Sequence, residues 1–232
     1  MKKIITAIAF IALTTVSAKA IDFGNFSVTA GLGQNTSVWG ASGTESEYSE
    51  TGTLPEINKE HGVFTDDYSS HFIELGIGQY ISVGYNMASD PIKTPSNVTN
   101  EGDPAQQATV QVDFNDLETQ YVKLNIPGGM FVKYGTVAVD IKVNEVIASG
   151  STYADRSTEG TSLGLGYQGH IGESGLGFRM ETNYIELDNV TTDNGTTIAG
   201  SNATNGGRNQ IDINNMEGVT AMFAITYTLG RN

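Results

Sequence analysis

Apolar and polar residues alternate along most of this chain with a period of two, which is the pattern of β-strands whose two faces differ. In the last such segment, Val219, Phe223 and Ile225 fall on one face. Thr220 and Thr226 fall on the other face. The same alternation recurs along the chain and predicts eight strands, at about 23–42, 69–77, 79–88, 108–126, 130–147, 159–171, 175–190 and 213–230.

The segments between the predicted strands alternate in length. Three are tight, glycine-containing turns, at 76–78, 127–129 and 172–175. Four are long polar segments, at about 43–68, 89–107, 148–158 and 191–212. When each strand runs antiparallel to the one before it, alternate connections lie at opposite ends of the barrel, so all the tight turns share one end. The sequence therefore predicts an all-β fold, an eight-stranded antiparallel up-and-down β-barrel.

The two predicted faces indicate where such a barrel would reside. One face is small or polar, which suits the narrow interior of an eight-stranded barrel. The other face is apolar and carries aromatic residues near the strand ends: Phe26, Phe131, Phe178 and Tyr227 toward the tight turns, Phe114 and Tyr184 toward the long loops. Aromatic girdles and loops sorted by length are typical of transmembrane β-barrels. A soluble sandwich or lipocalin-like barrel is the alternative, but it has no reason to sort its loops by length.

The N-terminal segment differs from the rest of the chain. Residues 1–20, MKKIITAIAFIALTTVSAKA, start with a basic region, continue as an apolar run and end in Ala18-Lys19-Ala20. This order predicts a secretory signal peptide that is cleaved after Ala20, which leaves residues 21–232 as the mature barrel. The chain contains no cysteine, so disulfide bonds and thiolate metal sites are excluded. No other apolar run approaches the roughly 20 residues of a transmembrane helix.

With its signal peptide, eight strands, three tight turns and four long loops, the chain resembles the small eight-stranded outer-membrane barrels of Gram-negative bacteria, the class that includes OmpX and the transmembrane domain of OmpA. The resemblance covers the whole mature chain and lies in architecture, not in a shared motif. It implies a location in the bacterial outer membrane, with both termini periplasmic. Such barrels often end on an aromatic residue, whereas this chain ends Tyr227-Thr228-Leu229-Gly230-Arg231-Asn232. Tyr227 is the candidate for that role.

The acidic balance of the chain limits its partners. The formal net charge is −14 for the full sequence, and loss of the signal peptide leaves nine basic against 26 acidic residues. Nucleic-acid binding is disfavoured, because it requires a basic face that neutralises phosphates. The first long loop has seven acidic residues against Lys59. Weak binding of divalent cations that bridge to lipopolysaccharide is one interpretation; a solvated, self-repelling surface is the one we favour.

One motif in the sixth predicted strand matches a cofactor signature by spacing alone. The stretch SLGLGYQGHIG contains Gly164-x-Gly166-x-x-Gly169, the spacing of a dinucleotide-binding loop. That loop requires a strand before it and a helix after it. Here Leu163 and Leu165 continue one apolar face through the motif, so no turn or helix is predicted. We interpret Gly164 and Gly166 as inward positions where a narrow barrel has little room.

Charged residues recur at inward-facing positions a few residues above the tight turns: Glu74, Lys123, Arg179 and Glu181. At a rise of about 3.3 Å per residue, these side chains should share one level of the lumen. Two carboxylates and two cations can pair there, whereas an unpaired buried charge is costly. We interpret the set as a salt-bridge plug that closes the lumen; a gate or proton-sensitive constriction is the alternative. Asp140 and Lys142, nearer the long loops, are predicted to form a second interior layer.

Lys133 does not follow this pattern. Its parity places it on the lipid face together with Phe131 and Val137. From there its ammonium group could snorkel to the nearby interface. The alternative is a β-bulge near Gly135 that resets the parity of the strand.

Enzymatic function has little support in the sequence. The three histidines, His61, His71 and His170, are not at metal-ligand spacing. A lipid-modifying enzyme of the outer membrane would pair a histidine with a serine, and His71 could reach Ser69 more easily than Ser70, because adjacent residues point to opposite faces. We predict polar rim residues here, and no catalytic, metal or cofactor site. The favoured function is a structural or surface-interaction barrel that presents acidic loops; a narrow pore for small or apolar solutes is the alternative.

Overall fold

The computed structural model describes residues 25–48, 55–99, 108–146, 152–195 and 208–230. The predicted signal peptide lies outside the described residues, as do 49–54, 100–107, 147–151 and 196–207, which, except for residue 147, belong to the predicted long loops. The described residues contain no helix that is long and apolar enough to cross a membrane.

The described chain is built from antiparallel strands: β1 (Phe26–Tyr48), β2 (Pro55–Ile77), β3 (Ile81–Ala88), β4 (Ile92–Lys93), β5 (Asn97–Thr99), β6 (Ala108–Asn125), β7 (Met130–Val146), β8 (Arg156–His170), β9 (Leu176–Leu187), β10 (Val190–Asp193) and β11 (Asn209–Gly230). Eight of them pair in the order β1-β2-β3-β6-β7-β8-β9-β11, and β11 pairs back with β1 to close a ring. The short strands β4 and β5 pair with β6, and β10 pairs with β11. The predicted eight-stranded antiparallel barrel is therefore confirmed.

The connections are sorted between the two ends of the barrel. The turns after β2, β6 and β8 are short, and each contains a glycine with positive φ: Gly78 (61°), Gly128 (92°) and Gly172 (67°). The opposite end carries the long connections. There β1 and β2 remain paired as far as Tyr48 and Pro55, so most of the predicted loop 43–68 is an extension of the barrel wall. We refer to the two ends as the short-turn end and the long-loop end.

The outer and inner faces of the wall differ as the alternation predicts. Large apolar side chains cover the outside, and Leu32, Leu163 and Phe223 are each more than half exposed. Inward positions on the same strands are small or buried, such as Gly33 on β1 and Thr220 on β11. An exposed apolar band around a closed barrel is what a lipid environment requires.

Strand β7 reverses the predicted parity. Its inward residues include Phe131, Lys133 and Val137, each at most 2% exposed, while Val132 and Tyr134 point outward. The placement of Phe131 in an outer girdle and of Lys133 on the lipid face was therefore wrong. The register between β7 and β8 is unbroken, so there is no bulge at Gly135 either. Both faces of this strand are largely apolar, and the alternation alone could not select the inner one.

Two β-bulges lie elsewhere, on β6 and β11. On β6 the register shifts between Asn115 and Glu118, and on β11 it shifts opposite Gly40 and Ser42. Asp116 and Asn215, which lie in these bulges, have φ values of 51° and 53°. Each bulge resets parity along its strand. On β6 it turns Phe114 inward, so the prediction of Phe114 as an outer girdle residue was also wrong.

The bulge at Asn215 permits a test of backbone strain. Asparagine tolerates the left-handed region better than most L-residues, so Asn215→Ala is expected to lower the free energy of unfolding by about 1 kcal/mol, whereas Asn215→Gly should not lower it. Urea unfolding of the protein in detergent micelles measures the difference. Asn214→Ala is the control, because Asn214 does not have a positive φ. Equal losses for Asn215→Ala and Asn215→Gly would contradict the explanation.

Candidate functional site

A layer of five charged side chains crosses the lumen, contributed by four strands. Glu74 comes from β2, Lys123 from β6, Lys133 from β7, and Arg179 and Glu181 from β9. All five are buried, with side chains at most 3% exposed. They meet because each occupies an inward position at nearly the same distance from the short turns. We call this set the charged layer.

Ion pairs connect the members of the charged layer. Lys123 Nζ and Arg179 Nη2 each lie 2.6 Å from Glu74 Oε2. Lys133 pairs with Glu181, and Arg179 Nη1 lies 3.8 Å from the second oxygen of Glu181. Arg179 therefore bridges the two carboxylates and joins two pairs into one network.

The structure brings together the four residues that the sequence placed in the plug and adds Lys133. Sequence reasoning missed Lys133 because it assigned the wrong face to β7. A usable signal existed: a lysine facing lipid is costly, and an inward carboxylate at Glu181 offered a partner. The cost of a lysine in lipid and the partner available at Glu181 both favour an inward placement of Lys133.

Aromatic rings fill the space around the charges. The Arg179 guanidinium carbon lies 4.2 Å from the Phe72 ring centroid and 5.2 Å from that of Phe131. Lys133 Nζ lies 4.5 Å from the Tyr121 ring centroid. Cations over ring faces gain electrostatic attraction, more so when water is excluded. The rings and ion pairs thus lie against one another at this level of the lumen.

On the short-turn side of the charged layer lies a polar cavity of about 340 Å³. It is lined by hydroxyl and amide side chains, including Thr29, Ser82, Asn125 and Gln168, and its inner end is formed by the charged layer. We call it the short-turn cavity. On the other side, the space left beside Lys133 is only about 20 Å³, roughly the room of one water molecule.

Farther toward the long loops the lumen becomes apolar. Trp39, Phe114 and Phe64 stack, with Phe114 in the middle at centroid distances of 6.1 and 6.2 Å. The buried cluster around them includes Tyr68, Ala88, Ile92, Leu117, Val137, Val139, Ile141, Ile185, Leu187, Val190 and Met216. We call this set the apolar cluster. The buried side chains in this half of the lumen are therefore held by apolar packing instead of by charge.

Asp140 and Lys142 do not form a second interior layer, and that prediction was wrong. Both side chains are exposed on the outer face of β7, where Asp140 Oδ1 accepts a hydrogen bond of 2.7 Å from Ser157. The inward positions at this height belong to Val139 and Ile141 of the apolar cluster. The reversed parity of β7 is the cause.

The glycine motif on β8 serves packing. A Cβ at Gly164 would clash with the side-chain oxygen of Asn183, and one at Gly166 with the Met180 carbonyl and the Phe131 ring. Gly169 faces outward, where the Phe178 ring covers it. The strand continues through the motif without a turn, so it lacks the strand-to-helix geometry of a dinucleotide site.

The histidine contacts differ from those considered in the sequence. His71 Nδ1 lies 3.1 Å from Ser89 Oγ, whereas the hydroxyl of Ser69 donates to Gln34. Ser70 points inward and accepts a hydrogen bond from Asn35. Within the described ranges, no group of three metal-ligating side chains is close enough to hold a metal ion.

Comparison with known proteins gives a fold without a family. Neither a protein-family model nor a curated protein matches this sequence. The outer membrane protein OprG from Pseudomonas aeruginosa is similar in structure, with a TM-score of 0.54 and 13% identity over 88% of this chain and 96% of OprG. The outer membrane protein AlkL, determined by solid-state NMR in DMPC bilayers, has a TM-score of 0.52 and 12% identity over 93% of this chain and 96% of AlkL.

These similarities and the ring of strands define the class of fold. The chain has the fold of the small outer-membrane β-barrels, as its sequence pattern predicts.

Proposed function

We propose that this chain is an integral protein of the bacterial outer membrane, a closed barrel that presents acidic loops at the cell surface. The observation that carries the proposal is the closed lumen. Arg179 and Phe131 are each 1% exposed, and the apolar cluster fills the lumen beyond them. An eight-stranded barrel has an interior that side chains can fill. Within the described residues, the space between the charged layer and the apolar cluster is only about 20 Å³.

The outer surface supports insertion in a membrane. Apolar side chains that are roughly half exposed surround the barrel, among them Ile73 on β2, Val122 on β6 and Leu165 on β8. In water, such a continuous apolar band would promote aggregation. Outer-membrane barrels place short turns in the periplasm and long loops outside, so both ends of the described chain would be periplasmic.

Acidic side chains are concentrated toward the long-loop end. The exposed ones there are Glu60, Asp67, Asp90, Asp116, Asp140, Asp155, Glu159, Glu186, Asp188 and Glu217. At the cell surface they would face the phosphates of lipopolysaccharide, and like charges repel. Ca²⁺ or Mg²⁺ bound weakly between the two would bridge them. Lipopolysaccharide and divalent cations are accordingly the partners we propose for this end.

Conductance tests the closed lumen. Purified protein in a planar bilayer is expected to produce no single-channel steps, because ions would have to cross both the charged layer and the apolar cluster. An open porin in the same bilayer is the positive control. Reproducible steps whose size scales with salt concentration would contradict the proposal.

The second candidate function is a path for apolar solutes, favoured by the lining of the long-loop half of the lumen. Trp39 is the single tryptophan of the chain and lies in the apolar cluster at 4% exposure. A brominated alkane that enters this region would quench its fluorescence. Saturable quenching of the wild-type protein that is lost in Phe114→Arg, which places a charge beside Trp39 in the apolar cluster, would favour this candidate over the closed barrel.

A further inference from the structure

The short-turn cavity is lined mainly by side chains that can donate hydrogen bonds. Hydroxyl groups of Ser27, Thr29, Ser82, Thr226 and Thr228 line it, together with the amides of Asn125 and Gln168. Lys123 and Arg179 form its inner end. Among the described residues that line the cavity, Glu74 is the single carboxylate.

The acceptor capacity of Glu74 is already engaged within the charged layer. Its Oε1 accepts from the Tyr121 hydroxyl at 2.8 Å, and its Oε2 accepts from Lys123 and Arg179 at 2.6 Å each. Lys123 also donates to Gln168 Oε1 at 2.8 Å. An ammonium group has three N–H donors, so one donor of Lys123 remains.

Arg179 contributes a second unused donor. Its Nε is buried and has no hydrogen-bond partner within the described part of the chain, although the residue is only 1% exposed. A buried donor without a partner costs free energy, as much as a lost hydrogen bond or more when the group is charged. Both unused donors belong to side chains that form the inner end of the cavity.

The formal charge of the layer points in the same direction. The buried charged side chains of the described residues are three cations, Lys123, Lys133 and Arg179, and two carboxylates, Glu74 and Glu181. The layer thus has a formal charge of +1. A buried charge without a counter-charge is strongly unfavourable. A negative ion in the adjoining cavity would neutralise it.

We propose that the short-turn cavity binds a small inorganic oxyanion of the phosphate or sulfate type. Lys123 and Arg179 would supply the charge, and the hydroxyl and amide donors would bind the remaining oxygens. The volume of about 340 Å³ exceeds that of one such ion, and the lining includes turn residues such as Gly78 and Gly129, so the ion can enter from the short-turn end. This site is independent of the proposed role of the loops.

Phosphate binding by the full mature protein tests the site. Equilibrium dialysis with radiolabelled phosphate, in a maltoside detergent that carries no phosphate and at fixed ionic strength, is expected to show saturable binding of one ion per chain. Lys123→Met brings the formal charge of the layer to zero and removes a charged donor. It is expected to weaken binding by about tenfold or more.

Two further variants keep the test decisive. Lys142→Met removes the same charge from the outer face, so binding should remain as in the wild type. Thr226→Val removes one hydroxyl from the cavity without a change of charge and should weaken phosphate binding severalfold. Folding of each variant is judged by heat-modifiable migration on a gel. If Lys123→Met does not fold, Thr226→Val takes its place in the test. Absence of saturable binding by the wild type would overturn the proposal. Wild-type affinity in every one of the two cavity variants that folds would also overturn it. Conductance by the wild type would overturn only the closed lumen.

Discussion

Replacement of Glu74 by glutamine is expected to destabilise the barrel by about 3–5 kcal/mol, the usual cost of removing one partner from a buried ion pair. Glu74 is the carboxylate shared by Lys123 and Arg179. The glutamine would keep the shape but leave three cations facing one carboxylate in a layer that is almost fully buried. Urea unfolding of the protein in lipid vesicles, monitored by heat-modifiable gel migration, measures the loss in the free energy of unfolding.

Two comparisons separate charge from fold in this experiment. Glu186→Gln is the matched control, because Glu186 is exposed on the outer face and its change should stay within about 0.5 kcal/mol. The double variant Glu74→Gln with Lys123→Met returns the layer to its original formal charge and should recover part of the loss. If Glu74→Gln and Glu186→Gln unfold at the same urea concentration, the charged layer does not stabilise this barrel.

Replacement of Gly166 by valine is expected to cost about 3 kcal/mol, at the upper end of the range for overpacking a close-packed interior. The new Cβ would clash with the carbonyl oxygen of Met180 and with the ring of Phe131. Neither can move aside easily, since Met180 belongs to the β8–β9 ladder and Phe131 lies beside the Arg179 guanidinium. The same unfolding assay measures the effect.

Gly62 provides the matched control for this substitution. It also lies in a strand, but nothing stands within 4 Å of the position that its Cβ would take. Gly62→Val should therefore leave the free energy of unfolding within about 0.5 kcal/mol of the wild type. Similar losses for the two variants would mean that valine acts through strand propensity and not through contact with Phe131 and Met180.

Glu74→Gln and Gly166→Val both change the packing around the charged layer. Gly166 gives Phe131 its place, and Phe131 borders the guanidinium that bridges Glu74 and Glu181. A motif that in isolation resembles a phosphate-binding loop is thus part of the packing around the charged layer. The phosphate that we propose would be held by Lys123 and Arg179 in the neighbouring cavity, and not by the glycines.

Much of the fold was predictable because the apolar outer surface of the barrel and its narrow interior impose opposite demands on alternate residues. Strands such as β11 have a clearly apolar face and a clearly polar one, and their orientation followed from parity. Strand β7 offered no such contrast, since Val132 and Tyr134 compete with Phe131 and Val137 for either face. Its neighbours decided: inward placement pairs Lys133 with Glu181, whereas outward placement would take Lys133 away from that carboxylate and leave Glu181 with Arg179 alone.

Local patterns also failed where the backbone departs from regular strand. The bulge at Asp116 shifts the register of β6 by one residue, so Phe114 joins the interior stack with Trp39 and Phe64. Aspartate in an extended sequence does not by itself predict a residue with positive φ. The assignment of Asp140 and Lys142 to the lumen failed for the related reason that parity was read from the wrong face of β7.

By itself, the sequence determined the number of strands in the ring, the end of the barrel at which each connection lies, and four of the five members of the charged layer. Those features depend on local periodicity, on turn glycines and on distance along a strand from a turn, which are properties of neighbouring residues. Only the tertiary structure decided the orientation of β7, the bulges, the fifth charge and the donor-rich cavity. These depend on side chains from different strands meeting in a closed ring, where the cost of an unpaired charge selects between arrangements that a single strand leaves equal.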